Sequence, residues 1–554
     1  MIPVSFDILN ALAAGAKPAF KVRVFFQQPE DYTVADYLVS IGSINASLSS
    51  EGGYAVANTT VTLRDRGRYF SLKFAKELPV KRTVEVYIMI AGAEILKFRG
   101  IVGGWKYTDR QTVTLDLNAS LLDDIKLRTS AVYRNPREIA PLKIVYGDLS
   151  ASKAPATALD KDGYIYHISD MPMQSINKVY VDGEPKTSGF KAMPAYQDET
   201  GRSIAVVIFD EPQYDKRVSV SGKGAMKLDT GEPIEYPADL IRSLIVDVQG
   251  YGEAALDAGE LSRFYSACLK NEIRVATVME GGKVKEFLDE LALNIHAHWL
   301  ISDGKSVMRL RGIVEDSPVR YDFTEAELDS PEITSEDLYN EVTVNFGYDF
   351  DAGKFTGSIT KHNPLSKVIY GAAPFSLDLK MIQGTRQAEN AADAVLKTFS
   401  IPQLKASFKG DLRSVYVEPG DRVSLTDSGG IGDSGFVAAP GIVTAQSVDG
   451  DQLSYDVAME GYDSLYQSEL VNLCQAVGAS TEKLTVTYEN GVATITIYAD
   501  VQGSPPVEGA EVTISGVKKI SDKKGQVRFN LQPGRYTARI SASGYEDADI
   551  EFSV

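Results

Sequence analysis

Apolar and polar residues alternate along most of the first 120 residues. The segments "FKVRVFF" from Phe20, "NTTVTLRD" from Asn58, "TVEVYIMI" from Thr83, "EILKFRGIVGGW" from Glu94 and "QTVTLDLNAS" from Gln111 read as short strands punctuated by turns. Ahead of them, Phe6, Ile8, Leu9 and Leu12 share one face of a short helix. Beyond a polar connector with Pro136 and Pro141, "YIYHIS", "INKVYVDGEP", "RSIAVVIFD" and "KRVSVSGKG" predict a second β unit, with "VDGEP" as a hairpin turn. The period then changes. In "EYPADLIRSLIVDVQG", Pro237 opens a helix whose face carries Leu240, Ile241, Leu244 and Ile245, and "GKVKEFLDELALNIHAHW" repeats the pattern through Val284, Phe287, Leu288, Leu291 and Ile295. A hairpin turning at Asp303–Gly304 follows. Alternation returns in "YNEVTVNFGYDF" and "VYVEPGDRVSLTD", on either side of a helix "TRQAENAADAVLKTF". The last 75 or so residues hold seven short strands, the rhythm of an immunoglobulin-like sandwich. The expected fold is mainly β with one α+β segment: a small β-barrel over 1–145, a β-rich insertion over 146–235, an α+β unit over 236–335, a second small β-barrel over 336–475, and a β-sandwich over 476–554.

One stretch occurs twice. "GIVGGWKYTDRQTVTLDL" from Gly100 and "GIVTAQSVDGDQLSYDV" from Gly441 both open Gly-Ile-Val, cross a polar turn and return on an alternating strand ending at Asp116 or Asp456. Each is preceded by another alternating strand, carrying Val84 and Val86 or Val423 and Leu425. The same small β unit is therefore expected at about 20–120 and 338–465.

Composition narrows the function classes. At 554 residues with 44% apolar and 24% charged residues, the chain is an ordinary globular one of several domains. A net charge of −18 argues against a surface built to bind nucleic acid. The cysteines, Cys268 and Cys474, stand far apart and without a CxxC, which fits a reducing cytoplasm and gives no metal spacing. The N-terminus lacks the basic region of a signal peptide, and no apolar run reaches the roughly 20 residues of a membrane span. Among the histidines, His296 and His298 form the one cluster. A strand would point both rings to one side, but no third ligand has recognisable spacing, so a polar hairpin is the reading taken. The acidic pairs Asp289/Glu290, Glu325/Glu327 and Glu546/Asp547 read as solvated faces among 75 acidic residues. "SGGIGDSG" and "SEGGYA" fail the phosphate-loop pattern, and GxSxG and HExxH are absent. No catalytic, cofactor-binding or metal-ligating residue is assigned, no cofactor is expected, and the chain is not read as an enzyme. A basic turn gathers Lys518, Lys519, Lys523, Lys524 and Arg528, although from residue 480 onward ten acidic against eight basic residues leave a net of −2.

The order of elements, carried by "YHISDMPMQSINKVYVDGEP", "GRSIAVVIFDEP", "PIEYPADLIRSLIVDVQG", "NEVTVNFGYDF" and "VEPGDRVSLTDSG", resembles the baseplate hub or tail tip proteins of long-tailed bacteriophages, the lambda tip attachment protein and the hubs of Mu-like phages among them. The resemblance covers about residues 1–465. It implies a virion protein made in the host cytoplasm, a homotrimer that closes the tail tube. Its partners would be distal tail and tube proteins, the tape measure protein and a tail fibre or receptor-binding protein. Genome DNA would pass its channel without specific binding, and the host cell surface lies within reach. It also gives the duplication a reason: a trimer with two similar barrels per chain offers six quasi-equivalent surfaces to a hexameric tube. "VEGAEVTISG" and "PGRYTARISASGY" resemble carboxypeptidase-regulatory or transthyretin-like sandwiches, usually spacers or adhesive modules. The competing expectation is a secreted or surface carbohydrate-binding protein, for which 28 tyrosines speak and only two tryptophans, Trp105 and Trp299, do not.

Overall fold

The computed structural model describes residues 6–49, 53–119, 142–159, 163–198, 201–227, 229–302, 304–311, 319–336, 338–430, 435–450, 452–459, 483–489, 492–498, 506–532, 534–542 and 548–553. The fold is mainly β, as the alternation predicts. In the N-terminal part the strands are β1 (Ala19–Phe25), β2 (Pro29–Thr33), β3 (Leu38–Ile41), β4 (Ile44–Leu48), β5 (Tyr54–Val56), β6 (Thr59–Arg64), β7 (Thr83–Ile90), β8 (Ala93–Thr108) and β9 (Thr112–Ala119). Seven form one sheet in the order β2-β1-β7-β8-β9-β6-β3. Its inner face follows the period of two: Val84, Val86, Ile88 and Ile90 on β7 and Val113, Leu115 and Leu117 on β9 are buried. The helix Phe6–Ala13 buries Ile8 and Leu12 and leaves Leu9 exposed.

A later set comprises β10 (Tyr321–Thr324), β11 (Asp329–Glu336), β12 (Glu341–Asp349), β13 (Lys354–His362), β14 (Pro374–Asp378), β15 (Gln403–Gly410), β16 (Arg422–Asp427), β17 (Phe436–Asp449) and β18 (Gln452–Met459). Here the sheet order is β10-β16-β17-β18-β15-β11, with β4 from the N-terminal part added alongside β17. Strands β13-β12-β14 make a separate small sheet, next to the helix Thr385–Phe399. The expected barrels are not closed. Among the described residues no ladder joins β2 to β3 or β10 to β11. Closure requires the end strands to pair with a fixed stagger, and β3 and β10 have only four residues each to bridge the gap.

In chain order, further helices come between the two sets of strands. Pro237 opens a helix to Arg242 that widens into a π turn over Ser243–Val248, burying Leu240, Ile241, Leu244 and Ile245. Val284–Asn294 buries the predicted stripe and leads into the hairpin Ala297–Ser302/Lys305–Leu310, where Trp299 is fully buried and donates to Ser306. A helix at Ala258–Lys270 was not expected: its buried face is only Glu260, Phe264 and Cys268, too narrow a stripe to stand out in the sequence. The β-rich insertion is two four-stranded sheets about a core that includes Tyr166, Ile168, Val179, Val207 and Phe209, and its "VDGEP" hairpin turns through Asp182 and Gly183, both with positive φ. The seven C-terminal strands form sheets of three and four around Ile495, Ile497, Val512, Val527 and Ile540.

Candidate assembly surfaces on two equivalent β repeats

The sequence repeat at Gly100 and Gly441 lies within five strands that have the same chain order and the same spatial order in both copies. The order β7-β8-β9-β6-β3 in the first repeat matches β16-β17-β18-β15-β11 in the second. Registers agree as well. Val84 lies opposite Gly100 and Val423 opposite Gly441; Val102 pairs with Leu117 and Val443 with Val457; Asp116 faces Thr60 and Asp456 faces Ser407. Each long central strand carries a bulge at the same step, between Val102 and Gly104 or between Val443 and Ala445. An inserted residue of this kind bends the strand and raises its twist.

The same backbone bonds hold both bulges. Lys81 N donates to Val102 O (2.8 Å) and Val102 N to Arg82 O (2.9 Å); Gly420 N donates to Val443 O (2.7 Å) and Val443 N to Asp421 O (3.0 Å). Lys81 and Gly420 both adopt positive φ, 67° and 86°. The shared glycine has a packing reason. A Cβ on Gly100 would lie 2.3 Å from the carbonyl oxygen of Asn118, and one on Gly441 would lie 3.0 Å from that of Ala458, the equivalent residue. Outside the five strands the repeats diverge. The sixth strand runs antiparallel in one (β1 on β7) and parallel in the other (β10 on β16). Asp456 binds Ser407 (2.7 Å) and Lys405 (3.1 Å), whereas Asp116 lines an open polar cleft of about 410 Å³ with Asn45, Asn58 and Asn118.

The repeats are joined within the chain. Strand β4 leaves the first repeat and pairs with the half of β17 beyond its bulge, Ala445–Val448 against Ile44–Ser47. Both sheets also contribute to one hydrophobic core, which runs from Val22 and Val86 to Leu425 and Val457. A charged seam closes the junction with the α+β segment. Arg309 donates to Gly420 O (2.6 Å) and contacts Asp421 (3.3 Å) and Glu260 (3.2 Å), so one guanidinium grips the loop that holds the second bulge. Nearby, Lys97 donates to Gln446 (3.2 Å), Gln446 donates to Val417 O (2.6 Å), and Glu418 accepts from Ser302. Burial pushes the Glu418 carboxyl above its usual range, opposed by the Lys97 charge, and pushes the Lys97 ammonium down.

The chemistry-bearing residues singled out from sequence are dispersed. His296 and His298 lie at the start of the buried hairpin rather than on a polar one; burial and the Arg311 charge push His296 down to about 3 and His298 well below its usual value. Neither His296 Nε2 nor His298 Nδ1 has a hydrogen-bond partner, and His296 borders an apolar cavity of about 110 Å³ with Leu293, Phe375, Val395 and Phe399. Among the described residues no group of three or more His, Cys, Asp or Glu could hold a metal. Glu327 serves structure, accepting from Tyr321 and Thr324 and pairing with Arg413, while Asp289 pairs with Lys285. Glu546, Asp547 and Cys474 lie outside the described residues, as do parts of both glycine stretches. The basic turn is exposed at Lys518, Lys519, Lys523, Lys524 and Arg528. No described helix is long and apolar enough to cross a membrane. Sequence reading missed the crossing of β4 and the Arg309 grip, because neither long-range pairing leaves a local pattern.

No protein-family profile and no curated protein matches the chain. Solved structures do. A chain in the virion of a native gene transfer agent particle is similar over 61% of this chain and 87% of its own length, at 15% identity and a TM-score of 0.40. The 43 kDa tail protein of prophage MuSo2 from Shewanella oneidensis aligns over 80% of this chain and 98% of its own, at 9% identity and 0.38. A tail protein from Neisseria meningitidis MC58 aligns over 80% and 97%, at 11% identity and 0.35. Likenesses this distant bear no weight on function, so the functional reading rests on the repeats. The chain is nonetheless similar, along most of its length, to two bacterial tail proteins, one of them from a prophage, and to a chain of a gene transfer agent virion.

Proposed function

We propose that this chain is a structural protein of a phage-type tail, and more finely the hub of its baseplate or tip. The observation that carries the reading is the duplication: one chain holds two five-strand units with the same order, register and bulge, joined through β4. A three-fold assembly of such chains presents six similar units, which is what a junction between a six-fold tube and a three-fold tip requires. In this reading the first unit spans 1–145 and the second 336–475. The insertion (146–235) and the α+β unit (236–335) brace them, and the sandwich (476–554) stands at the periphery. The trimer closes the tube, meets tube and tape measure proteins on one side and a fibre or receptor-binding protein on the other, and lets DNA pass. Its role is mechanical, and no reaction step is assigned to any residue. Labelling tailed particles with an antibody against the chain tests this reading: label belongs at the tail end, and label confined to the cell surface without particles would overturn it in favour of a carbohydrate-binding surface protein.

A further inference from the structure

The internal repeat supplies its own comparison, and it exposes an edge. In the second repeat, the half of β17 beyond the bulge is flanked by β18 on one side and β4 on the other. In the first repeat, the equivalent half of β8, Gly104–Thr108, pairs with β9 on one side only; β7 ends its pairing at Ile101. Among the described residues no strand lies along the other side. The two long strands share register and bulge, so this edge has the geometry that β17 uses to bind a strand. A row of unpaired backbone groups of this kind is a template for strand addition, and it carries little to block one: two glycines, Gly103 and Gly104, and a single lysine, Lys106.

The position of the occupant can also be read from the repeat. In the first repeat the hairpin β4–β5 is inserted between β3 and β6, and it is this hairpin that reaches across to the second repeat. In the second repeat the hairpin β12–β13 stands at the same place, between β11 and β15. Its outer strand β13 ends its sheet with no neighbour beyond it among the described residues, and its side chains alternate between exposed and half-buried along all nine residues. The chain's own β4 is already committed to β17 and is not available to the edge of β8.

We propose that the edge Gly104–Thr108 of β8 receives β13 from a second copy of this chain. Repeat one hands the first strand of its hairpin, β4, to repeat two within a chain; in repeat two the corresponding β12 is paired on both sides, so the second strand, β13, is the one offered to repeat one of the next. The contact is heterologous, and such contacts close into rings when the rotation allows. The inference stands on the repeat and does not need the tail reading; a ring of this kind could serve another assembly equally well.

The test is a set of paired substitutions in the full chain with Cys474→Ser: Lys106→Cys combined in turn with Thr356→Cys, Ser358→Cys or Thr360→Cys. Each is treated with a short bis-maleimide at high protein concentration. At least one pair is expected to give covalent species of two and more chains, and mixing the two single variants of that pair is expected to give dimers only. Amides of 104–108 in the associated protein should exchange at least tenfold more slowly than in the monomer. Cross-links only within one chain, associated protein with freely exchanging 104–108 amides, or a chain that stays monomeric at millimolar concentration would each overturn the proposal. Assembly through the β8 edge into particles that are not tails would leave it standing while removing the tail reading.

Discussion

Arg309 is the side chain whose loss should be felt most at the junction of the α+β segment with the second repeat. It is mostly buried and reaches Gly420 O, Asp421 and Glu260, and Asp421 is itself about 2% exposed. In Arg309→Met, Glu260 keeps Arg263 at 2.9 Å, but Asp421 retains only the backbone N–H of Glu418 at 3.0 Å as donor. Leaving one partner of a buried ion pair unmatched costs about 3–5 kcal/mol. The surviving backbone bond offsets part of that, so the expected loss is about 3 kcal/mol. Arg309→Lys should recover less than half, because an ammonium cannot span a carbonyl and two carboxylates at once. Adding Asp421→Asn to Arg309→Met removes the orphaned charge and should restore about 1–2 kcal/mol, a coupling between neighbours that a double-mutant cycle isolates. A chain of this size does not unfold as one unit, so the readout is hydrogen exchange of β16, β17 and the hairpin Ala297–Leu310. An expected acceleration of about 100-fold corresponds to roughly 3 kcal/mol. Exchange within a factor of three of wild type in Arg309→Met would refute the argument that this guanidinium holds the junction.

Three further outcomes follow from the same geometry. Gly100→Ala should cost about 2–3 kcal/mol and Gly441→Ala about 1 kcal/mol, because the nearest atom to the new Cβ is a fixed backbone carbonyl at 2.3 Å in the first case and the Val457 side-chain methyl at 2.5 Å, which can shift, in the second; the reverse order in strand-resolved exchange would contradict the register. His296 and His298 have folded pKa values lowered by burial, so their contribution is fully present above about 6.5 and is lost as pH falls below that, for His296 toward about 3. For His296 alone the loss is about 2 kcal/mol by roughly pH 5, and the double variant His296→Asn/His298→Gln should flatten that acid slope in thermal melts, where an unchanged slope would count against it. A chain ending at Ser480 should keep the melting behaviour of the remaining units, since among the described residues the sandwich core is built from residues 495–542 alone; its particles should assemble but adsorb poorly, and failure to assemble would place the sandwich inside the ring.

What the sequence made legible was whatever has a local period. Alternation marked nearly every strand of both repeats, and the Gly-Ile-Val echo located equivalent residues because a glycine under close backbone approach and a bulged strand leave the same short signature twice. Strand order was not legible: β6 pairs with β9 across two intervening strands, and nothing in "NTTVTLRD" names "QTVTLDLNAS" as its neighbour. Alternation tells which face is buried but not whether end strands meet, which is why barrels were expected where open sheets stand. The Arg309 grip was hidden for a related reason, since Asp421 and Glu260 are two acidic residues among 75 until the fold brings them to one cation. The histidine pair was noticed for its chemistry, yet its surroundings are apolar side chains and Arg311, which only the packing reveals.

If the proposed function holds, the two equivalent β repeats of one chain act as two of six similar units around an axis. A reconstruction of the tail end of intact particles by electron cryomicroscopy, without imposed symmetry, tests it most directly. Three copies of the chain are expected, their two repeats alternating as six similar densities in one ring with β8 of each copy next to β13 of the following one. One copy or six copies per tail end, or repeats at different heights along the axis, would contradict it.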